Sequence, residues 1–272
     1  MASNRKSTET ITRENLEAWN QVAPIHRQHN HQRLVQQFSQ PGFSVLNDLE
    51  VEVLNSLEFK GKDVAQICCN NGQELISVKN LGAGRCVGFD GASEFIEEAR
   101  TLASVANLDV EFVCTDVYDI GSEFSNAFDL TTITIGVLSW MPDLNRFFRI
   151  AANLLKPGGA LFIYEQHPIL EMFEPGGASE PINWELSYFD KSPYIDTNGL
   201  DYYGGQTYDA KPVTSFVHTM AEIIMAGVNN SLTVEYFEEL PDHISNTWWN
   251  IEEANVGLPM SYILILRKSD PA

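Results

Sequence analysis

The stretch "VAQICCNNGQELISV", residues 64–78, reads as an apolar strand that enters a helix through a turn of two cysteines, two asparagines and a glycine. A strand ending in such a turn aims backbone N–H groups and the positive end of a helix dipole at whatever lies beyond it. Asparagine tolerates left-handed backbone angles better than most residues, so Asn70 and Asn71 can replace glycines there, while Gly72 keeps one position free of a Cβ. The turn predicts a left-handed residue at position 70 or 71. Cys68 and Cys69 read as small apolar fillers, because no cation lies nearby to stabilise a thiolate.

Outward from this turn the pattern alternates. Short segments rich in Val, Ile, Phe and Thr, "DVAQICC", "RCVGFD", "VEFVCTD", "FDLTTITIG" and "GALFIYE", are separated by helix-length stretches. Strands alternating with helices predict a parallel sheet covered on both faces, since parallel neighbours need crossovers. After Asp90 one apolar stripe, Phe95, Ile96, Ala99, Leu102, Ala103 and Ala106, leaves Glu94, Glu97, Glu98 and Arg100 facing away. Ahead of the sheet, Leu16, Trp19, Val22, Leu34, Val35 and Phe38 predict one or two helices interrupted near Pro24. "SVLNDLEVEVLNSL" predicts another helix. Residues 168–213 carry many prolines, glycines and aromatics without a sustained period and predict an irregular cap. A helix over "FVHTMAEIIMAGVNN" and strands over "LTVEYFEEL" and "PMSYILILRK" complete the pattern.

Composition narrows the function classes. A chain of 272 residues can bury roughly three quarters of its unfolded surface, enough for one large domain. With 17 basic against 37 acidic residues the formal charge is −20, which repels nucleic acid and anionic membrane surfaces. No apolar run approaches the roughly 20 residues needed to span a bilayer. Cys68, Cys69, Cys86 and Cys114 lie in apolar strand-like segments without metal-ligand spacing or a secretory leader, as expected of reduced thiols in a cytoplasmic protein. His26, His29 and His31 in "HRQHNH" have no neighbouring acid or cysteine and read as solvated residues rather than metal ligands.

Two acids end successive strands. Asp90 closes "VGFD" about 20 residues past the turn, where a carboxylate accepts two hydrogen bonds from a ribose diol. Asp116 closes the next strand, placed to accept a hydrogen bond from an exocyclic amine. Helix or turn capping is the alternative for both. The order of turn, Asp90, Asp116, the segment "FDLTTITIGVLSWMPDLNRFFRIAANLLKPGGALFIYE" and two late strands resembles the class I S-adenosylmethionine-dependent methyltransferases over about residues 45–268. "LLKPGG" before a strand is the most specific piece. Gln66, Cys68 and Asn70 depart from that family's acidic and glycine-rich loop.

The resemblance implies a Rossmann-like α/β fold with a seven-stranded, mostly parallel sheet whose last strand is antiparallel. It implies an amino-terminal helical lid over residues 1–44 and a methyltransferase-like domain over 45–268, with the cap inserted at about 168–213. It further implies S-adenosylmethionine as cofactor, held by Trp19, Cys68, Cys69, Asn70, Gly72, Asp90, Gly91, Asp116, Val117, Ile135 and Gly136. The methyl acceptor, a small molecule, would meet Trp140, Glu165 and His218, with His167 of "YEQHPI" as catalytic base. The exposed aromatics of the cap would suit either an acceptor pocket or a homodimer interface. Two rival readings stand beside methyl transfer: a methyltransferase-like binding or regulatory protein without catalysis, and a nicotinamide-dependent oxidoreductase, which would want Gly-x-Gly-x-x-Gly at the first turn.

Overall fold

The computed structural model describes residues 6–133, 135–245 and 247–269. Two helices come first, α1 (Thr8–Phe38) and α2 (Asp48–Ser56). The alternating part follows as β1 (Val64–Ile67), α3 (Gln73–Asn80), β2 (Cys86–Asp90), α4 (Ser93–Val105), β3 (Glu111–Cys114), β4 (Phe128–Ile133), α5 (Leu144–Leu154) and β5 (Leu155–Gln166). Within the cap lies β6 (Tyr194–Asp196), which pairs antiparallel with β7 (Val213–Ser215) at its end; then come α6 (Met220–Val228), β8 (Leu232–Leu240), α7 (Trp249–Ala254) and β9 (Ser261–Lys268). Among the described residues, seven strands form one sheet in the order β3-β2-β1-β4-β5-β9-β8. The neighbours from β3 to β5 are parallel, while β9 runs antiparallel to both β5 and β8. This is the sheet that the alternation and the late strand pair predict. The order reverses between β1 and β4, and at such a switch point the carboxyl ends of the strands leave a crevice.

Each face of the sheet carries its own core. Phe147, Phe148 and Ala151 of α5 pack with Leu161, Ile163 and Tyr262 on one face. On the other, Leu75 and Ile76 of α3 and Ile96 and Leu102 of α4 meet Leu34, Leu54 and Phe162. Burying each large aliphatic or aromatic side chain contributes about 1.5–3 kcal/mol, so the amphipathic stripes decide which way the helices face. Short α7 lies in a stretch for which the sequence gave no periodic signal. Among the described residues, no helix is long and apolar enough to cross a membrane.

The amino-terminal helix departs from expectation. Pro24 lies inside α1, which runs unbroken for 31 residues. Proline removes one intrahelical donor and normally kinks or ends a helix. Here Val22, Ala23 and His26 on either side of it are buried, so packing holds the helix across the defect. Its covering surface is α4 on one side and the cap on the other. Glu98, outward on the α4 stripe, is only 2% exposed because α1 lies over it and His31 Nδ1 stands 3.1 Å from its carboxylate. Nor are the histidines solvated as a set: His26 is buried, its Nε2 is 2.8 Å from the Leu200 carbonyl, and its ring meets that of Tyr202 at 4.4 Å.

Buried Asn15 ties α1 to β7 as a strand neighbour would. Its Nδ2 donates to the Thr214 carbonyl and its Oδ1 accepts from the Thr214 N–H, both at 2.8 Å. Asn15→Ala would leave both backbone groups of Thr214 unpaired, at a cost of about 1–3 kcal/mol. Chemical denaturation of the variant should show that loss, and proteolysis should release the amino-terminal helix first.

Candidate functional site

Past β1 the chain alternates between left-handed and ordinary angles. Cys68 has φ 55°, Asn70 φ 49° and Gly72 φ 71°. The expectation for position 70 holds; position 71 is not left-handed, and Cys68 is an addition that its residue type did not announce. A non-glycine residue in that region costs roughly 1–2 kcal/mol. The conformation carries the Asn70 N–H to Asp90 Oδ2 at 2.8 Å and the Asn71 N–H to Asn70 Oδ1 at 2.7 Å. Gly72 has no room for a side chain: a Cβ there would stand 2.5 Å from the Phe112 ring. Burial, with the Asp90 charge next, pushes the Cys68 and Cys69 thiols well above their ordinary range, so both stay protonated. Asp116 adds to the effect on Cys68, which therefore lies between the two acids.

Asp90 accepts from Asn70 N–H on one oxygen and from Ala92 N–H, at 2.8 Å, on the other. A carboxylate has four lone-pair sites, so each oxygen keeps one for a hydroxyl. Burial raises its pKa against the pull of these N–H donors. Asp116 uses Oδ1 for the Tyr118 N–H, at 2.9 Å, capping the turn that begins at the buried Val117. Both acids therefore cap the backbone beside them and keep lone pairs to spare. Above them α1 forms a roof. A Cβ on Gly91 would stand 2.5 Å from Leu16, and Asn20 Oδ1 accepts from the Glu94 N–H at 3.0 Å. Leu16 and Asn20 line a cavity of about 320 Å³ with Asp116, Tyr118, Asp119 and Arg146. Trp19 sits edge-on to Trp140 at 5.6 Å and to Tyr202 of the cap at 6.4 Å. Donors and acceptors thus stand where a ribose and a base would want them, and the residues present fit the cofactor of the family resemblance.

At the β4 end, Ile135 is exposed and Gly136 takes φ 78°. Glu165, at the end of β5, collects the N–H groups of that loop: Oε1 accepts from Gly136 at 2.6 Å, and Oε2 from Val137 at 2.8 Å and Leu138 at 3.3 Å. The Gln166 N–H, at 2.8 Å, makes a fourth. Glu165 therefore positions the loop, and its oxygens are spent on backbone. His167 requires a correction. Its Nδ1 accepts from the Ile169 N–H at 3.1 Å, its Nε2 pairs with Glu239 at 3.0 Å, and it is 4% exposed. Both nitrogens are occupied, the ring stands 6.1 Å from that of Tyr262, and His167 lines neither cavity described in this section. His218 is differently placed. Its Nε2 donates to the Met141 carbonyl at 2.9 Å, which leaves Nδ1 as the acceptor, and its ring lines a second, small cavity beside Glu165.

Residues 64–159 match a family model described as "Methyltransferase domain". The "Ubiquinone biosynthesis O-methyltransferase" of Neisseria meningitidis is 30% identical over 119 residues, 43% of this chain and 50% of that protein. Its counterpart from Xanthomonas euvesicatoria is 32% identical over 43% of this chain and 49% of that protein. The chain thus spans about half the length of the curated relatives it matches. A solved S-adenosylmethionine-dependent methyltransferase from Mesorhizobium loti superposes with TM-score 0.61 at 21% identity, over 80% of this chain and 97% of that one, and shows the shared fold. A segment of the chain, residues 64–159, thus resembles a methyltransferase domain, and the fold is one shared with the S-adenosylmethionine-dependent methyltransferase family. S-adenosylmethionine is the cofactor of that family.

Backbone strain at the turn has a direct test. Asn70→Gly should stay within about 0.5 kcal/mol of the parent, whereas Asn70→Val should lose about 1–2 kcal/mol in denaturant titrations. A second test concerns pH. Burial pushes Glu165 to about 7, and burial with the Glu165 charge pushes Glu171 to about 7. An acid whose folded pKa is raised contributes stability below its unfolded value, near 4.5, and loses it as pH climbs through the folded value. The melting temperature should therefore fall between about pH 4.5 and pH 7 and level off above, and Glu171→Gln should make that fall shallower.

Proposed function

We propose that this protein transfers a methyl group from S-adenosylmethionine to a nucleophilic oxygen, nitrogen or carbon of a small molecule. The observation that carries the reading is the alternating left-handed backbone at 68, 70 and 72, which holds the Asn70 N–H on Asp90. It keeps, without the usual glycines, a turn through which backbone can approach a ligand. The reading without catalysis drew on those missing glycines and loses its main support when cysteine and asparagine adopt the same geometry. The reading as a nicotinamide enzyme has no glycine triplet at this turn.

The cofactor, when bound, supplies a sulfonium methyl already activated for displacement. The chain's own work is to bind and orient. Asp90 accepts the ribose hydroxyls, Asp116 the adenine amine, and Val117 and Ile135 flank the base. Gly91 and Gly136 give the close approach. Trp19 closes the site from α1, with Trp140 at its edge. On the acceptor side His218, not His167, is the imidazole with a nitrogen to spare. Burial lowers its pKa, so the ring is neutral near pH 7 and can take a proton at Nδ1. The oxygen-methylating names of the curated relatives favour an oxygen acceptor. Alignment of acceptor and methyl group supplies much of the acceleration in such displacements.

Calorimetry with S-adenosylhomocysteine tests this reading. The parent should bind, and Asp90→Ala should weaken binding by about 1.5–3 kcal/mol, the range for hydrogen bonds to a charged group. Absence of binding in the parent, or unchanged affinity in a folded variant, would sink it.

A further inference from the structure

We infer that a small chamber at the carboxyl end of β5, lined in part by polar side chains, takes the hydroxyl group of an uncharged methyl acceptor, an inference that rests on the methyl-transfer reading above. Its geometry follows from strand register. Glu165 on β5 stands directly opposite Tyr262 on β9, so both side chains leave the same face of the sheet. Between that face and the segment leading into α6 lies a chamber of about 20 Å³, lined by Glu165, Gln166, Glu171, Phe216, His218 and Tyr262 among others. Such a volume accommodates one water-sized group and no more.

The hydrogen-bond inventory of the chamber is unbalanced. Tyr262 is fully buried, yet its hydroxyl finds no partner among the described residues. A buried hydroxyl without a partner costs about 1–3 kcal/mol, and such exceptions are uncommon in folded proteins. The Glu165 oxygens are spent on backbone N–H groups and cannot relieve it. Gln166 Nε2 donates to Glu171 Oε1 at 3.1 Å, which leaves Glu171 Oε2 without a hydrogen bond among the described residues. The Met141 carbonyl fixes the His218 tautomer, leaving Nδ1 as an acceptor. The chamber thus offers the Tyr262 O–H as a buried donor and Glu171 Oε2 and His218 Nδ1 as acceptors, beside the Ser139 hydroxyl and the second hydrogen of Gln166 Nε2.

Only some chemical groups match that set. A hydroxyl accepts from Tyr262 and donates to Glu171 or His218 at once. A carboxylate or phosphate would bring further negative charge beside Glu165 and Glu171 in a site with little water to screen it. An ammonium can donate to the Tyr262 oxygen but, having no lone pair, leaves the Tyr262 hydrogen unpaired. Phe216, stacked on His218 with ring centroids 6.2 Å apart, and the apolar Leu138 and Ile223 offer carbon surface for the remainder of the acceptor. The chamber also adjoins the proposed cofactor edge, because the Glu165 carboxylate that walls it holds the Gly136 and Val137 N–H groups.

The test uses the full-length protein saturated with S-adenosylhomocysteine. Phenol, catechol and benzyl alcohol, with benzoate and benzylamine as charged comparators, are titrated while ligand signals are followed by NMR. The hydroxyl fragments should bind in preference to both charged ones. Tyr262→Phe should weaken them about tenfold or more and leave S-adenosylhomocysteine affinity within about twofold. Without ligands the same variant should melt no lower than the parent, because the hydroxyl it removes has no partner among the described residues. Benzoate or benzylamine binding as well as the alcohols, no hydroxyl fragment binding at millimolar concentration, or unchanged fragment affinity in Tyr262→Phe would overturn the inference, the last meaning that the chamber holds only a resident water. A parent that fails to bind S-adenosylhomocysteine would defeat the underlying reading, a separate and recognisable result.

Discussion

The carboxylate of Glu165 is the point on which both halves of the site depend. The loop after β4 belongs to neither a helix nor a ladder, and its N–H groups need acceptors wherever they are covered. One side chain from the neighbouring strand provides them, gathering Gly136, Val137 and Leu138 and the Gln166 N–H of its own strand. The arrangement fixes the loop after β4 against the carboxyl end of β5. Four donors favour the charged carboxylate while full burial disfavours it, and burial carries its pKa to about 7. A glutamine would keep at most one strong acceptor oxygen against these donors, so the geometry depends on two equivalent oxygens.

The cofactor side shows how a turn survives the loss of its usual residues. What a phosphate- or ribose-approaching turn requires is a sequence of backbone angles, and glycine is the cheapest way to supply them. Here cysteine and asparagine supply two of the three left-handed positions. Their strain is offset by a charge-assisted bond from the Asn70 N–H to Asp90 and by burial of both cysteines in the two cores. Gly72 cannot be exchanged in the same way, because the obstacle there is the Phe112 ring and not the angle alone.

The amino-terminal helix and the cap behave as one cover. Trp19 and His26 of α1 meet Tyr202 and Tyr203 of the cap in an aromatic cluster, Gln21 accepts from the Lys211 N–H and donates to the Asp209 carbonyl across the same seam, and Arg27 reaches the Glu94 carbonyl of α4. Residues of α1 line the cavity above Asp116, so the ordering of α1 and the shape of that cavity are coupled through contacts.

The sequence by itself determined the alternation of strands and helices, the antiparallel last strand, the turn at residues 68–72 and the two acids at successive strand ends. Those features are local: periodicity, β-branched content and the distance from turn to acid are all properties of short windows. Tertiary structure decided what each polar side chain does. Whether Glu98 faces water depends on α1, 67 residues away, lying over it. Whether His167 or His218 keeps a free nitrogen depends on Glu239 and Met141, 72 and 77 residues away from each. Asn15 acts as a strand neighbour only because β7, 199 residues on, comes to rest beside it. A hydrogen bond is set by partner and direction, and neither is encoded within a few residues of the group that makes it.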